Sequence, residues 1–179
     1  MRIARRIVTG LFATALSVAI IALAVRIYMS REVEDRVAPG EEMSITQLRS
    51  PLPRASFIAC PPAYCSAGEA ISSPIFELPW ERLYRYWVEI MSAQEGLVSA
   101  VSDRDARRFI YIQHSPVLRF PDVITVEFVP LAVGRSSIAI YSRSRYGEYD
   151  FRKNRKRVER WLALLQKLVR PDAQRRGAS

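Results

Sequence analysis

Hydrophobic and polar positions alternate with two distinct periods along this chain, and the change of period marks its elements. Residues 7–25 carry about nineteen residues without a charge, long enough as a helix to cover roughly 28 Å of hydrocarbon. The stretch 72–78, SSPIFEL, reads as a short edge strand because of Pro74. Pro79 then opens a helix through about Gln94, with Leu83, Trp87, Ile90 and Met91 on one face, and Gly96 ends it. Period-two alternation follows over residues 97–102, 108–115, 123–129 and 136–145, predicting four strands separated by turn residues. Pro116 and Pro121 interrupt the pattern between the second and third of these strands. The best-defined helix comes last: Val158, Trp161, Leu162, Leu165, Leu168 and Val169 share one face, with Phe151 and Asn154 extending it backwards.

The order strand, helix, four strands, helix predicts an α+β domain of two layers. A mainly antiparallel meander would have two helices across one face, in a helix-grip or TBP-like arrangement. The expected organisation is an anchor over residues 1–28, a flexible tether over 29–55, the domain over 56–170 and a disordered tail over 171–179. The tether assignment rests on charge, on Pro39, Gly40, Pro51 and Pro53, and on the lack of an apolar period.

Charge changes this picture in one place. The net charge is +9, but residues 32–140 carry ten basic and fourteen acidic residues. The excess lies in residues 1–31, 141–157 and 158–179, which contribute +5, +5 and +3. Net charge is therefore a weak argument for nucleic acid, and none is expected as a partner. The residues flanking the apolar run, Arg2, Arg5 and Arg6 before it and Arg26 and Arg31 after it, differ little in charge. With the amino terminus added, the N-terminal side is expected to be cytoplasmic and the domain periplasmic, on a single-pass inner-membrane anchor. A cleaved signal peptide, given Ala22-Leu23-Ala24, and a buried core helix are the rival readings.

Cys60 and Cys65, in CPPAYC, are expected to form a short-range disulfide in an oxidising compartment. Two free thiols and a metal site remain alternatives. The metal reading needs two further ligands, and the chain's single histidine, His114, lies far along the sequence. No metal and no cofactor are expected. A Ser–His–Asp set could be drawn from Ser115 or Ser142, His114 and Asp122, but no glycine-flanked serine or oxyanion motif supports it, so no catalytic residue is assigned.

Residues 141–157, YSRSRYGEYDFRKNRKR, hold the candidate chemistry. With Ile138 and Ile140 turned toward the helices, Arg143 and Arg145 project from the other, open sheet face, alongside Thr125, Glu127 and either Gln113 or His114. Gly147 permits a tight turn, Asp150 is placed as the cap of the last helix, and Asn154 enters its buried side. Arg143, Arg145, Asp150, Asn154 and Arg157 form the candidate site for a small anionic ligand or for an envelope protein's carboxylates. An envelope enzyme with its site between sheet and helix, and a purely structural envelope protein, are the alternatives.

The spacing Arg143-x-Arg145-x-Gly147-x-x-Asp150-x-x-x-Asn154-Arg155-x-Arg157 resembles the signature of the domain-of-unknown-function family numbered fourteen ninety-nine. The likeness also covers CPPAYC, SPIF (73–76) and RFPD (119–122), and so residues 58–168. It implies one domain, in proteins that are often bacterial and membrane-anchored or exported, and it implies no activity. Separately, Gly147, Arg119 and Asp122 are expected to be structural. The chain departs from the family after Asp150, where a small apolar, glycine-containing step is replaced by Phe151, Arg152 and Lys153.

Overall fold

A computed structural model of the chain describes residues 2–32, 37–66 and 70–176. Helix α1 spans Arg2–Glu32, and its segment Gly10–Ile27 is apolar enough to cross a membrane, with mean hydropathy 2.2 and none of it buried. Residues 37–55 follow, including one 3-10 turn at Ile45–Gln47. The domain then runs β1 (Ser56–Cys60), β2 (Ile71–Ser72), α2 (Trp80–Ser92), β3 (Leu97–Asp103), β4 (Arg108–His114), β5 (Pro121–Ala132), β6 (Arg135–Ser144) and α3 (Lys153–Arg176).

The six strands form one sheet in the order β2-β1-β6-β5-β4-β3, antiparallel except for the β1–β2 edge. The α+β class and the meander from β3 to β6 match the pattern read from the sequence. Several details differ. Strand β1, SFIAC, had no counterpart in that reading, and it inserts beside β6 with Ala59 opposite Ile140. The expected strand at 72–78 shrinks to Ile71–Ser72 plus a single bridge between Phe76 and Ser136. Pro121 opens β5 instead of breaking it, because the first position of a strand tolerates a missing N–H. Helix α2 stops at Ser92, before Gly96. Helix α3 reaches Arg176, into the stretch expected as a disordered tail, and residues 177–179 of that tail lie outside the described residues.

Alternation in the strands builds a separate core on each sheet face. Phe109, Tyr111, Ile124, Val126, Phe128, Ile138 and Ile140 meet α2 and α3 on the first face. At its centre the rings of Trp87 and Trp161, one from each helix, stand edge to face at 5.6 Å. Burial pushes the Tyr111 hydroxyl up to about 12 in pKa, although it accepts a bond from Trp87 Nε1 at 3.2 Å. The second face, expected to be open, is roofed by residues 37–55. Ile45 is fully buried there among Ile58, Val129, Ala139 and Tyr141, with Leu48 and Leu52 beside them.

Residues 37–55 are therefore a strap packed on the sheet rather than a flexible tether, while residues 33–36 of the expected tether lie outside the described residues. Polar bonds fix the strap. The Ile45 N–H donates to Glu127 Oε1 at 3.2 Å, and Tyr64 Oη donates to Glu127 Oε2 at 2.9 Å from the turn that Cys60 and Cys65 close. Those cysteines are disulfide-bonded, with Cα atoms 6.4 Å apart.

Candidate functional site

The residues singled out in 141–157 divide between the two faces. Arg143 lies on the strap side with Thr125 and Glu127, as alternation predicts, and His114 rather than Gln113 shares that side. Neither Arg143 nor Arg145 projects into open space. Arg143 Nη2 donates to Glu41 Oε1 at 2.7 Å, and Arg145 grips the same carboxylate through Nε to Oε1 at 3.1 Å and Nη2 to Oε2 at 2.6 Å. The Ala38 N–H adds a fourth bond to Glu41, at 2.8 Å. Burial alone would raise the pKa of Glu41. The Arg145 bond, the Ala38 N–H and the charges of Arg145 and Arg143 outweigh it and hold the carboxyl below its ordinary value. These two arginines thus hold the strap down, which corrects their assignment to an open binding face.

Asp150, Asn154 and Arg157 come together on the helix face, with Asp122 and Ser142. After Gly147, at φ +85°, the chain turns into α3 through two left-handed residues, Phe151 at φ +52° and Arg152 at +61°. That is the step at which the chain departs from the glycine-containing pattern. Asp150 caps this turn: Oδ1 accepts from the Arg152 N–H and Oδ2 from the Asn154 N–H, each at 3.0 Å. The Asn154 side chain, fully buried, donates to Asp150 Oδ2 at 2.7 Å and to the Ala55 carbonyl at 3.0 Å. Its Oδ1 accepts from Ser142 Oγ at 2.7 Å and from Arg157 Nη1 at 2.6 Å. Arg157 also pairs with Asp122 through Nη2 at 2.5 Å, and Lys153 Nζ reaches the other Asp122 oxygen at 2.9 Å. Buried polar groups require this completeness, and the network clamps α3 onto β5, β6 and the end of the strap.

Asp122 is bound into this network, and the left-handed backbone of Arg119 (φ +56°) presents its carbonyl to His114 Nδ1 at 3.1 Å. The hydroxyl of Ser142 donates to Asn154, and that of Ser115 accepts the Phe120 N–H at 2.9 Å. Among the described residues no group of three or more His, Cys, Asp or Glu is placed to hold a metal ion.

A cleft of about 580 Å³ opens beside this clamp, between the end of α2, the end of β4 and the first turns of α3. Lys153, Lys156, Arg157 and Arg160 line one wall; Gln94, Glu95, Gln113, His114 and Ser115 line the other, with Asp122 behind them. Four cations face two carboxylates, Asp122 and Glu95, leaving an excess of two positive charges. Arg160 Nη2 donates to Gln94 Oε1 at 3.0 Å, which fixes the rim between the helices. Lys153, Lys156 and Arg160 are not among the candidate site residues read from the sequence. Their spacing with Arg157, at i, i+3, i+4 and i+7, is the signal of one cationic stripe.

No curated protein matches the chain. The family model described as protein of unknown function (DUF1499) matches residues 70–165, which include SPIF, RFPD and the whole of the basic segment but not CPPAYC. That match spans more than half of the chain and takes in the Asp122–Asn154–Arg157 clamp, so the protein belongs to the DUF1499 family of proteins of unknown function.

Proposed function

We propose that this is an extracytoplasmic binding protein on a single-pass anchor, with α1 in a bacterial inner membrane, its N-terminus cytoplasmic and a helix-grip or TBP-like domain in the periplasm. The ligand is a small anion or an anionic group of an envelope partner, seated in the cleft beside α3. One observation carries this reading: four cations stand on one helical stripe along a cleft with only two carboxylates. Their chemistry suits an anion, because forked guanidiniums and ammonium groups at a half-closed surface gain more from a charged acceptor than from water. The anchor reading is supported by the apolar, unburied run Gly10–Ile27, and the oxidising compartment by the Cys60–Cys65 bond. Binding is favoured over catalysis because Asp150, Asn154 and Asp122 are all committed to holding α3.

Calorimetric titration of the full chain in phosphatidylcholine nanodiscs tests this reading, using inorganic phosphate and citrate as probes. At least one anion is expected to bind the wild type, and the Lys156→Glu/Arg160→Glu variant should bind it at least about tenfold more weakly. Absence of binding by both anions, or binding that the variant leaves unchanged, overturns the proposal.

A further inference from the structure

The cationic cleft lies at the end of the sheet that α1 approaches. There β4 meets β5 with His114 opposite Pro121, and β5 meets β6 with Asp122 opposite Ser144. The β4–β5 and β6–α3 connections therefore share that end. Arg26, at the close of the apolar segment Gly10–Ile27, brings Nη1 to 3.5 Å from the Val117 carbonyl on the first connection. Ser115 and Pro116, immediately before Val117, line the cleft. Resting on the anchored, anion-binding reading above, we propose that the cleft takes the phosphate headgroup of an anionic phospholipid from the bilayer around α1.

Two features of this end suit a bilayer better than a dissolved anion. The first is apolar: Val117 on one connection and Tyr146, Tyr149 and Phe151 on the other are exposed. Phe151 extends from a left-handed residue that leaves its ring in solvent. Such side chains gain little from a free anion in water, whereas aromatic rings settle favourably at the headgroup layer. The second is charge. Residues 145–160 carry seven Lys or Arg and three carboxylates. Glu41 and Asp122 also pair with members of this set, which still leaves an excess of two positive charges. Basic side chains beside exposed aromatic ones combine attraction to lipid phosphates with shallow apolar insertion. The opposite end of the sheet, where Val133 tips the β5–β6 hairpin, lies roughly 35 Å away along β5.

Fluorescence quenching tests the assignment, with the full chain in nanodiscs that carry doxyl-labelled lipid. A bimane is placed on Tyr149→Cys, in the β6–α3 connection, or on Val133→Cys at the far end, with the Cys60–Cys65 bond left oxidised. Replacing half the phosphatidylcholine by phosphatidylglycerol is expected to raise quenching at position 149 severalfold and to leave position 133 unchanged. Lys156→Glu/Arg160→Glu should return position 149 to its value in phosphatidylcholine, with melting followed to check the fold. Equal quenching at the two positions, no response to phosphatidylglycerol, or a response that persists in the charge-reversed variant overturns the lipid assignment. Phosphate or citrate binding in phosphatidylcholine discs without that response also overturns it, and leaves the cleft a site for free anions.

Discussion

Glu41 Oε2 lies 2.6 Å from Nη2 of Arg145, a residue 104 positions later in the chain, and this pair fastens the strap to the sheet. Because Glu41 is buried and its carboxyl titrates below its ordinary value of 4.5, the stability it lends is fully present above that value. It is lost as the pH falls through the lower, folded-state value. Glu41→Gln should therefore cost about 2 kcal/mol at pH 7, or roughly 4–8 °C in melting temperature. Melting curves of the two proteins should converge in acid, and an equal gap at pH 7 and pH 3 counts against the assignment.

The two arginines should not be equivalent. Arg145 makes two of the bonds to Glu41 and its side chain is 12% exposed, against one bond and 26% for Arg143. Arg145→Ala is expected to lower the melting temperature by several degrees more than Arg143→Ala. Amide exchange over residues 41–48 should rise in the same order, and the reverse order would refute this ranking.

Asn154 is the hub of the clamp. Asn154→Leu removes the donors to Asp150 and Ala55 and the acceptor for Ser142 and Arg157, with an expected loss of about 3 kcal/mol. Asn154→Asp puts a second carboxyl against Asp150, and this repulsion favours a protonated form in the folded state. That variant should therefore gain stability relative to wild type as the pH falls from 7 to 5. Denaturant unfolding at both values reads the sign, and a flat profile would mean that the two side chains do not touch.

Phe151 is 86% exposed and held at positive φ, so its ring adds no packing while its Cβ costs backbone strain. Phe151→Gly should raise stability by up to about 1 kcal/mol, against the usual effect of introducing glycine. A drop in melting temperature would show that the left-handed step is not strained.

Alternation alone made the meander readable, since each of β3 to β6 keeps period two between turn residues. It also put Arg143, Thr125 and Glu127 on one face. Asp150 and Asn154 were readable because a cap and a buried polar position lie within a turn or so of each other. Strand β1 was not: SFIAC is five residues long, and its partner strand lies more than 80 residues away. The strap was missed for a different reason. Ile45, Leu48 and Leu52 follow an irregular backbone and keep no period, so their burial depends on a sheet face that forms only from distant strands. The cleft joins α2, β4 and α3, and only its cationic stripe is local.

The packed strap also sets a distance. Only residues 33–36 separate the end of α1 from the ordered strap, and five peptide links span at most roughly 18 Å. A tether of 27 residues would have let the domain roam well clear of a bilayer. If α1 spans a bilayer, as proposed, so short a connection would instead keep the domain near the membrane surface.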